Sequence, residues 1–377
     1  MEAERYIGWL ALALTPGLGA RQAGKLLRAF GRPEAIFSAS LTSLEAHRLS
    51  AETAQAIHSQ KPLKDAEKEL AQARQLGARL LTWDEPQYPP LLREIYDPPP
   101  LLYVKGNADL LGRHAIAIVG TRRPTPYGNQ MAERLARDLA DRGVVITSGL
   151  ARGIDSSAHK GALASARSGG TTVGVLGTGI DVVYPKENKK LYAQMEERGA
   201  IITEFPIGTF PAPQNFPIRN RVIAGMSLGV VVVEGAQYSG SLITARLAMD
   251  ASREVYGVPG NATQPSSFGP NHLIKQGAKL VTGWEDVVEE LPTEIRAQLA
   301  PVEQPGAAER ASLFEESLNL TERAVYALLG TDEARHVDEL VETSGLNSSE
   351  VLAALFELEM KGIVRQMPGK NFVKVLL

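Results

Sequence analysis

Residues 228–252 read LGVVVVEG, then AQYSG, then SLITARLAMDAS. Four consecutive valines bounded by glycines form a strand that is apolar on both faces, and such a strand belongs inside a parallel sheet. The Gly/Ser turn behind it opens a helix, so the unit is strand, tight turn and crossover helix. The same texture recurs at AIAIVG 115–120, VVITSG 144–149, TTVGVLG 171–177, IITEF 201–205 and REVYGVPG 253–260. Helical stretches such as GNQMAERLARDLADRG and NKKLYAQMEERG separate these runs. The alternation predicts a doubly wound α/β domain over residues 81–290 with a parallel sheet.

The flanks differ in texture. Residues 1–80 are rich in Ala and Leu at helical spacing, and LTPGLGARQAGKLLRAFG sets a Pro-Gly-Leu-Gly turn between Trp9–Leu14 and Gln22–Phe30. This reads either as a helix-hairpin-helix unit (SAM-like in its helical setting), whose turn amides face a phosphate, or as a plain helical hairpin. The proline-rich stretch YPPLLREIYDPPPLLYVKG, 88–106, reads as a linker or an extended entry segment. Residues 291–315 are polar and weakly periodic, a linker, and 316–377 read as three helices and a hairpin, a winged helix. Ser348 is the expected N-cap of its third helix, and Pro368-Gly369 the hairpin turn. That third helix carries Glu350, Glu357 and Glu359 with no base before Lys361. It therefore reads as a protein-contact surface or a weak DNA module.

Composition excludes several classes. The chain has no cysteine and six scattered histidines, so no thiolate site, disulfide or metal cluster is expected. The apolar run Ile7–Leu14 is too short to span a bilayer and lacks a basic start, so a cytoplasmic protein with no membrane partner is expected. Net charge is −3, but 18 acids against 4 bases fall within 284–360, and 361–377 hold four bases and no acid. The first 283 residues thus carry a surplus of seven positive charges, a bias that suits an anionic partner.

In an open parallel sheet, ligands bind where loops leave the C-terminal strand ends. Those loops are TRRPTPYG after Gly120, LARGIDSSAH after Gly149, TGIDVVYPKEN after Gly177, and AQYSGSLITA after Gly235. GTGID lacks the third glycine of a dinucleotide fingerprint, and no phosphate-loop GxxxxGK[ST] is present, so neither a dehydrogenase nor an ATPase of those types is expected. Asp155 and His159 stand four apart, as a catalytic pair or as an N-cap and a polar helix face. Glu234 suits catalysis or a guanidinium. Ser239, Gly240 and Ser241 form an anion seat at a helix start, or a plain turn and cap. NFPIRNRVIAGMS, 215–227, places Arg219 and Arg221 around Asn220, on the doorstep of the valine strand. These arginines fit a structural salt-bridge corner, a small-nucleotide anion site or a grip on a nucleic-acid backbone. With Arg122 and Lys186 on neighbouring loops, and Phe216 and Tyr127 as stacking faces, they compose a groove of the kind that holds single strands without sequence preference.

IVGTRRPTPYG, TSGLARGIDSSAHKGAL, VGVLGTGIDVVYPKEN, TEFPIGTFPAPQNFPIRNRVIAGMS, VVVVEGAQYSGSLITARLAMDASREVYGVPG and GPNHLIKQGA, in this order over residues 115–278, resemble the DNA-processing protein A family (DprA, also called Smf). The resemblance implies an extended Rossmann-like core that dimerises, binds single-stranded DNA, protects it and loads RecA onto it in natural transformation. It implies no cofactor and no catalytic activity. It also implies that Arg122, Lys186, Phe216, Arg219, Asn220 and Arg221 line the DNA pocket. Gly120, Thr121, Ser148, Gly149, Ser239, Gly240 and Ser241 are expected to support the loops and the anion seat. Arg123 and Pro124 make the first loop more basic and stiffer than the family pattern. The alternative is a nucleotide-processing enzyme of the phosphoribohydrolase type, but its PGGxGTxxE signature is absent. A third reading is an adaptor acting through the winged helix.

Overall fold

The computed structural model describes residues 2–165, 171–299, 318–331 and 333–375. Six helices come first: α1 Glu2–Leu14, α2 Ala20–Phe30, α3 Pro33–Phe37, α4 Leu41–Ala46, α5 Ala51–His58 and α6 Lys61–Gln75. They bury Trp9, Leu10, Leu26, Ile36 and Leu44 against one another. The chain then enters a sheet through β1 Arg79–Thr82, the short helix α7 Pro90–Glu94 and β2 Leu101–Gly106. From there strands and helices alternate: β3 Ala115–Val119, α8 Pro126–Asp141, β4 Val145–Ser148, α9 Ile154–Leu163, β5 Thr172–Val175, α10 Lys189–Arg198 and β6 Ala200–Thr203. They continue with α11 Asn215–Gly225, β7 Gly229–Val232, α12 Gly240–Asp250, β8 Glu254–Gly257, α13 Phe268–Lys275 and β9 Lys279–Leu280. Helices α14 Trp284–Glu289 and α15 Thr293–Gln298 follow.

The sheet runs β1-β2-β6-β5-β4-β3-β7-β8-β9. From β6 to β9 every pairing is parallel, while β2 lies antiparallel to β6 and β1 antiparallel to β2. The sheet is therefore Rossmann-like with an antiparallel edge. That edge separates the two readings of 88–106: the segment enters the sheet through α7 and the extended strand β2 and is not a linker. Pro98, Pro99 and Pro100 precede β2, where no ladder N–H is needed, so they do not break it. Alternate strand residues serve opposite faces. Ile116, Ile118, Ile146 and Val231 pack with α8, α9 and α14. Ala117, Val119, Val230 and Val232 pack with α11, α12 and α13. Strand order reverses between β3 and β7, whose neighbours run away in opposite directions, and this opens a crevice at their C-terminal ends.

Glu69 joins the helical front to the sheet. Nearly buried on α6, it accepts from the Tyr103 hydroxyl on β2 and from the Ile207 N–H, both at 2.7 Å. The chain ends in α16 Leu320–Leu328, β10 Arg335–His336, α17 Val337–Ser344, α18 Ser348–Met360, β11 Val364–Met367 and β12 Asn371–Lys374. The strands form a sheet ordered β10-β12-β11, giving a winged helix. The N-cap of α18 is Asn347 rather than Ser348: its side chain accepts from the Glu350 N–H, and Glu350 accepts from the Asn347 N–H, each at 3.0 Å. The expected linker begins as α15, and residues 300–317 lie outside the described residues. Among the described residues, no helix is long and apolar enough to cross a membrane.

Helices α8 and α9 meet at Gly161, where an added Cβ would stand 2.2 Å from the backbone carbonyl oxygen of Glu133. Gly161→Ala must push the two helices apart, so it is expected to cost about 2–3 kcal/mol, at the upper end for overpacking. A denaturant midpoint that stays at the wild-type value would contradict this packing.

Candidate nucleic-acid interface

The crevice between β3 and β7 is a groove of about 640 Å³. Loops after β3 (Arg122, Arg123) and β4 (Ala151, Asp155), the α12 start (Ser239, Gly240) and α11 line it. The loop after β5 contributes Tyr184. A narrow side pocket of about 20 Å³ continues from it between Gly149, Gly177, Phe216 and Arg219.

Helix α11 decides what the groove contains. The sequence reading placed 215–227 on the doorstep of the valine strand without giving it an element; residues 215–225 are helical, with Pro217 in the first turn, where its missing N–H is no loss. Residues two apart on a helix point roughly 200° away from each other, so Arg219 and Arg221 leave on different sides. Phe216, Arg219 and Asn220, at i, i+3 and i+4, share the groove face.

Arg219 is only 5% exposed. Its Nη1 donates to the Gly149 carbonyl at 2.7 Å and, at short range, to the Val175 carbonyl, while Nε donates to Asn220 Oδ1 at 3.1 Å. The Gly149 N–H in turn donates to Asp155 Oδ2 at 3.0 Å. Asp155 is thus a loop clamp on α9 rather than the expected N-cap, a position held by Gly153. Burial raises the Asp155 carboxyl above its usual range, with Arg219 opposing, and burial lowers the Arg219 guanidinium, with Asp155 opposing. Two glycines make room for this assembly. A Cβ on Gly149 would fall 2.6 Å from Arg219 Nη2, and one on Gly177 would fall 2.9 Å from Phe216 Cδ1.

Two guanidinium groups approach the Phe216 ring. The Arg122 and Arg219 Cζ atoms are 5.5 and 5.8 Å from its ring centroid, and the Tyr184 ring centroid is 5.7 Å away, tilted by 36°. Tyr184 is a site residue the sequence does not mark: it is an uncharged loop residue, and only its contact with Phe216 reveals it. Arg122, Arg123 and Lys186 are exposed and make no ion pair among the described residues. Lys186 stands just outside the groove, next to Pro185 of its wall. At the α12 start the Ser239 hydroxyl bonds to that of Ser241 (2.7 Å) and leaves the helix N-terminus without a side-chain cap. Asn220 Nδ2 donates weakly to the Gly240 carbonyl at 3.5 Å, joining α11 to that end.

Other expected residues sit elsewhere. Arg221 does not line the groove: it is held by Glu204 at short range and by Asp97 Oδ2 at 3.4 Å. Neither arginine pairs with Glu234, whose two oxygens accept from the Thr125 N–H (2.9 Å) and hydroxyl (2.6 Å). Tyr127 donates to the Pro259 carbonyl at 2.8 Å and lines a different pocket. Ser148 is buried and donates to the Ile118 carbonyl at 2.6 Å, and the Thr121 N–H donates to the Glu234 carbonyl at 2.7 Å. Gly120 packs against Ile154, which a Cβ would approach to 2.6 Å. His159, fully buried, contacts Thr172 Oγ1 through Nδ1 at 2.7 Å, and its Nε2 has no partner among the described residues. It is no half of a catalytic pair with Asp155. No group of three or more potential metal ligands occurs among the described residues.

An α/β sheet whose switch point carries a cationic, aromatic groove defines a binder of anionic ligands with planar faces. The family model for DNA recombination-mediator protein A matches residues 79–292, and that of the DprA winged helix domain matches 307–370. The chain belongs to this DNA-processing, recombination-mediator family. It is 40% identical over 311 residues to protein Smf of Escherichia coli (strain K12), covering 82% of this chain and 80% of that one. It is 45% identical over 224 residues to DNA processing protein DprA of Bacillus subtilis (strain 168), covering 59% and 74%. The X-ray structure of DprA from Streptococcus pneumoniae superposes with a TM-score of 0.66 at 35% identity, over 78% of this chain and 98% of that one. DNA processing protein A from Helicobacter pylori, described for its single-stranded DNA binding mode, gives 0.51 at 31% identity over 56% and 94%.

Burial, with the Arg219 charge adding to it, pushes the His159 imidazole down to about 3. The unfolded value is about 6.5, so between these values the unfolded chain holds a proton that the folded one lacks. The contribution is fully present above about pH 6.5 and is lost as pH falls toward 3, with a limiting slope of about 1.4 kcal/mol per unit. In urea unfolding, the wild type is expected to lose about 1 kcal/mol or more beyond what His159→Gln loses between about pH 7 and 5. Equal losses would sink this assignment.

Proposed function

We propose that this chain is a non-enzymatic recombination mediator. It holds single-stranded DNA across the switch-point groove, protects it and loads RecA onto it during natural transformation. The observation that carries the reading is the pairing of unpaired cations with an aromatic platform: Arg122, Arg123 and Lys186 free of carboxylates, beside Phe216 and Tyr184. Phosphates meet the cations and the uncapped α12 start, and bases stack on the rings. Family membership and the DNA-binding description of the Helicobacter pylori relative support it. Arg219 acts here from below, with Nη2 left to the groove, and Arg221 acts on stability rather than on DNA. The phosphoribohydrolase alternative would need an acid free to act at the rim, and Glu234 has both oxygens engaged by Thr125. Exposed Tyr238, Ile243, Met249 and Phe268 on and beside α12 and α13 support a homodimer through the Rossmann-like domain.

Fluorescence anisotropy with poly-dT and a mixed-sequence strand tests the reading. Wild type is expected to bind both alike with a steep salt slope, and Arg122→Ala/Phe216→Ala to bind at least about tenfold more weakly with the slope reduced by about 0.7 for the lost phosphate contact. Retained affinity in that variant would overturn the groove. Arg221→Ala is expected to show the opposite profile, near-normal affinity per folded molecule with about 3 kcal/mol less stability, because Glu204 is left buried and unpaired. Loading is read as faster RecA assembly on the coated strand, with no acceleration counting against it.

A further inference from the structure

Helix α2 carries Arg21, Lys25 and Arg28, spaced i, i+4 and i+7, and Arg32 follows; no acid occurs from Ala20 through Pro33. At that spacing the three helical bases share one face. All four are exposed, and none forms an ion pair with a carboxylate of the described residues. This differs from other bases of the molecule, such as Arg5, Arg79, Arg221 and Arg253, each of which has a carboxylate partner.

The basic face is interleaved with aromatic rings. The Arg21 Cζ stands 4.4 Å from the Tyr96 ring centroid, and the Arg28 Cζ stands 5.9 Å from Trp83. Tyr96 is 67% exposed, unusual for a ring that lies in a loop at the start of a sheet edge. Beside it runs a second groove of about 590 Å³, with Gly19 and Ala23 on the α2 side and Pro206 and Arg221 on the other. Its wall includes Pro217, and Pro217 also lines the switch-point groove. The two depressions share one wall residue, and the second extends to the N-terminal end of α2 at Gly19, Ala20 and Ala23, with Asp97, the neighbour of Tyr96, in its wall; Arg21, Lys25 and Arg28 stand outside its lining. Arg221 is neutralised there by Asp97 and Glu204, so no unpaired cation is left among the lining residues, and the unpaired bases of α2 lie beyond that wall.

We infer that α2 and Tyr96 form a second, outer binding segment for the same single strand, gripping phosphates with Arg21, Lys25 and Arg28 and stacking a base on Tyr96. The inference rests on the groove reading above and adds a direction to it: the strand runs from the sheet rim toward the helical front. The sequence reading looked for phosphate at the Pro-Gly-Leu-Gly turn; the bases instead lie along the helix that follows.

Strand length separates the two segments. A dT oligonucleotide of about 6 nucleotides fits the first groove, and one of about 20 reaches both. Wild type, Arg21→Ala/Lys25→Ala/Arg28→Ala, Tyr96→Ala and Tyr96→Phe are compared by anisotropy against salt. The triple variant is expected to bind the short strand like wild type and the long strand about tenfold more weakly, with the salt slope lowered by about 2 for three lost phosphate contacts. Tyr96→Ala should weaken the long strand several-fold, with Tyr96→Phe restoring it. Unchanged long-strand affinity and slope would overturn the inference, as would an equal loss at both lengths, which marks a long-range field rather than contact. Competition by polyglutamate as effective as dT of equal charge, with Tyr96→Ala silent, would also overturn it and assign the stripe to an acidic protein. If wild type binds neither strand, the groove reading fails as well; if the short strand binds and length dependence ignores α2, only this inference fails.

Discussion

The backbone of Gly149 is held on both sides by buried charged groups, its N–H by Asp155 and its carbonyl by Arg219. Asp155 belongs to the helix after β4 and Arg219 to the helix before β7, so this one residue ties two crossover connections to the rim of the sheet. Removing either side chain would leave a Gly149 backbone group without its partner and the other buried charge without its compensating field, which is destabilising. The arrangement also requires glycine, because a Cβ would occupy the place of the guanidinium. Phe216, one turn before Arg219 on α11, inherits its position from the same clamp and rests on Gly177. The groove is therefore preorganised from below, by a network that no ligand needs to assemble.

The basic residues of this chain divide into two populations by partner. Arg221 and Arg253 hold surface segments to the core through carboxylates and backbone carbonyls, and Arg219 is satisfied by carbonyls and a side-chain amide. Arg122, Arg123 and Lys186 stand exposed without such partners among the described residues. Only the second population is free to neutralise phosphates and so to release the counterions condensed on a strand, the origin of a salt-dependent affinity. A count of arginines in the motif overstates the electrostatic grip, since two of the three in and around FPIRNR and GTR that look most committed are already engaged within the protein.

The parallel core was legible because buried strands leave runs such as VVVV and AIAIV, whose meaning does not depend on neighbours. The antiparallel edge was not: β1 is four residues long and β2 follows three prolines, so local signals pointed to a linker. Site residues were legible as types and loop positions but not as orientations. Arg219 and Arg221 look equivalent two residues apart in extended chain; on a helix they face different sides, and a proline in the first turn disguised that helix. Glu234 reads as an acid at a strand end, and nothing local reveals that Thr125, 109 positions earlier, engages both of its oxygens. The N-cap of α18 was missed by one position because Asn347, Ser348 and Ser349 are all competent caps, and only the reciprocal bond from Glu350 selects Asn347.

These orientations bear on selectivity. Base edges are distinguished by paired donors and acceptors aimed into the ligand, and the polar groups nearest the platform are largely occupied: Asn220 accepts from Arg219, Ser239 bonds to Ser241, and Asp155 faces the Gly149 peptide. What the groove leaves free is charge, a helix N-terminus and ring faces. Charge and helix amides address the phosphates, which are the same at every nucleotide, and ring faces stack on any base. A site built from these elements distinguishes a splayed single strand from a stacked duplex by access to the base faces rather than by sequence. That is the selectivity the proposed role calls for, in which strands of any sequence are accepted.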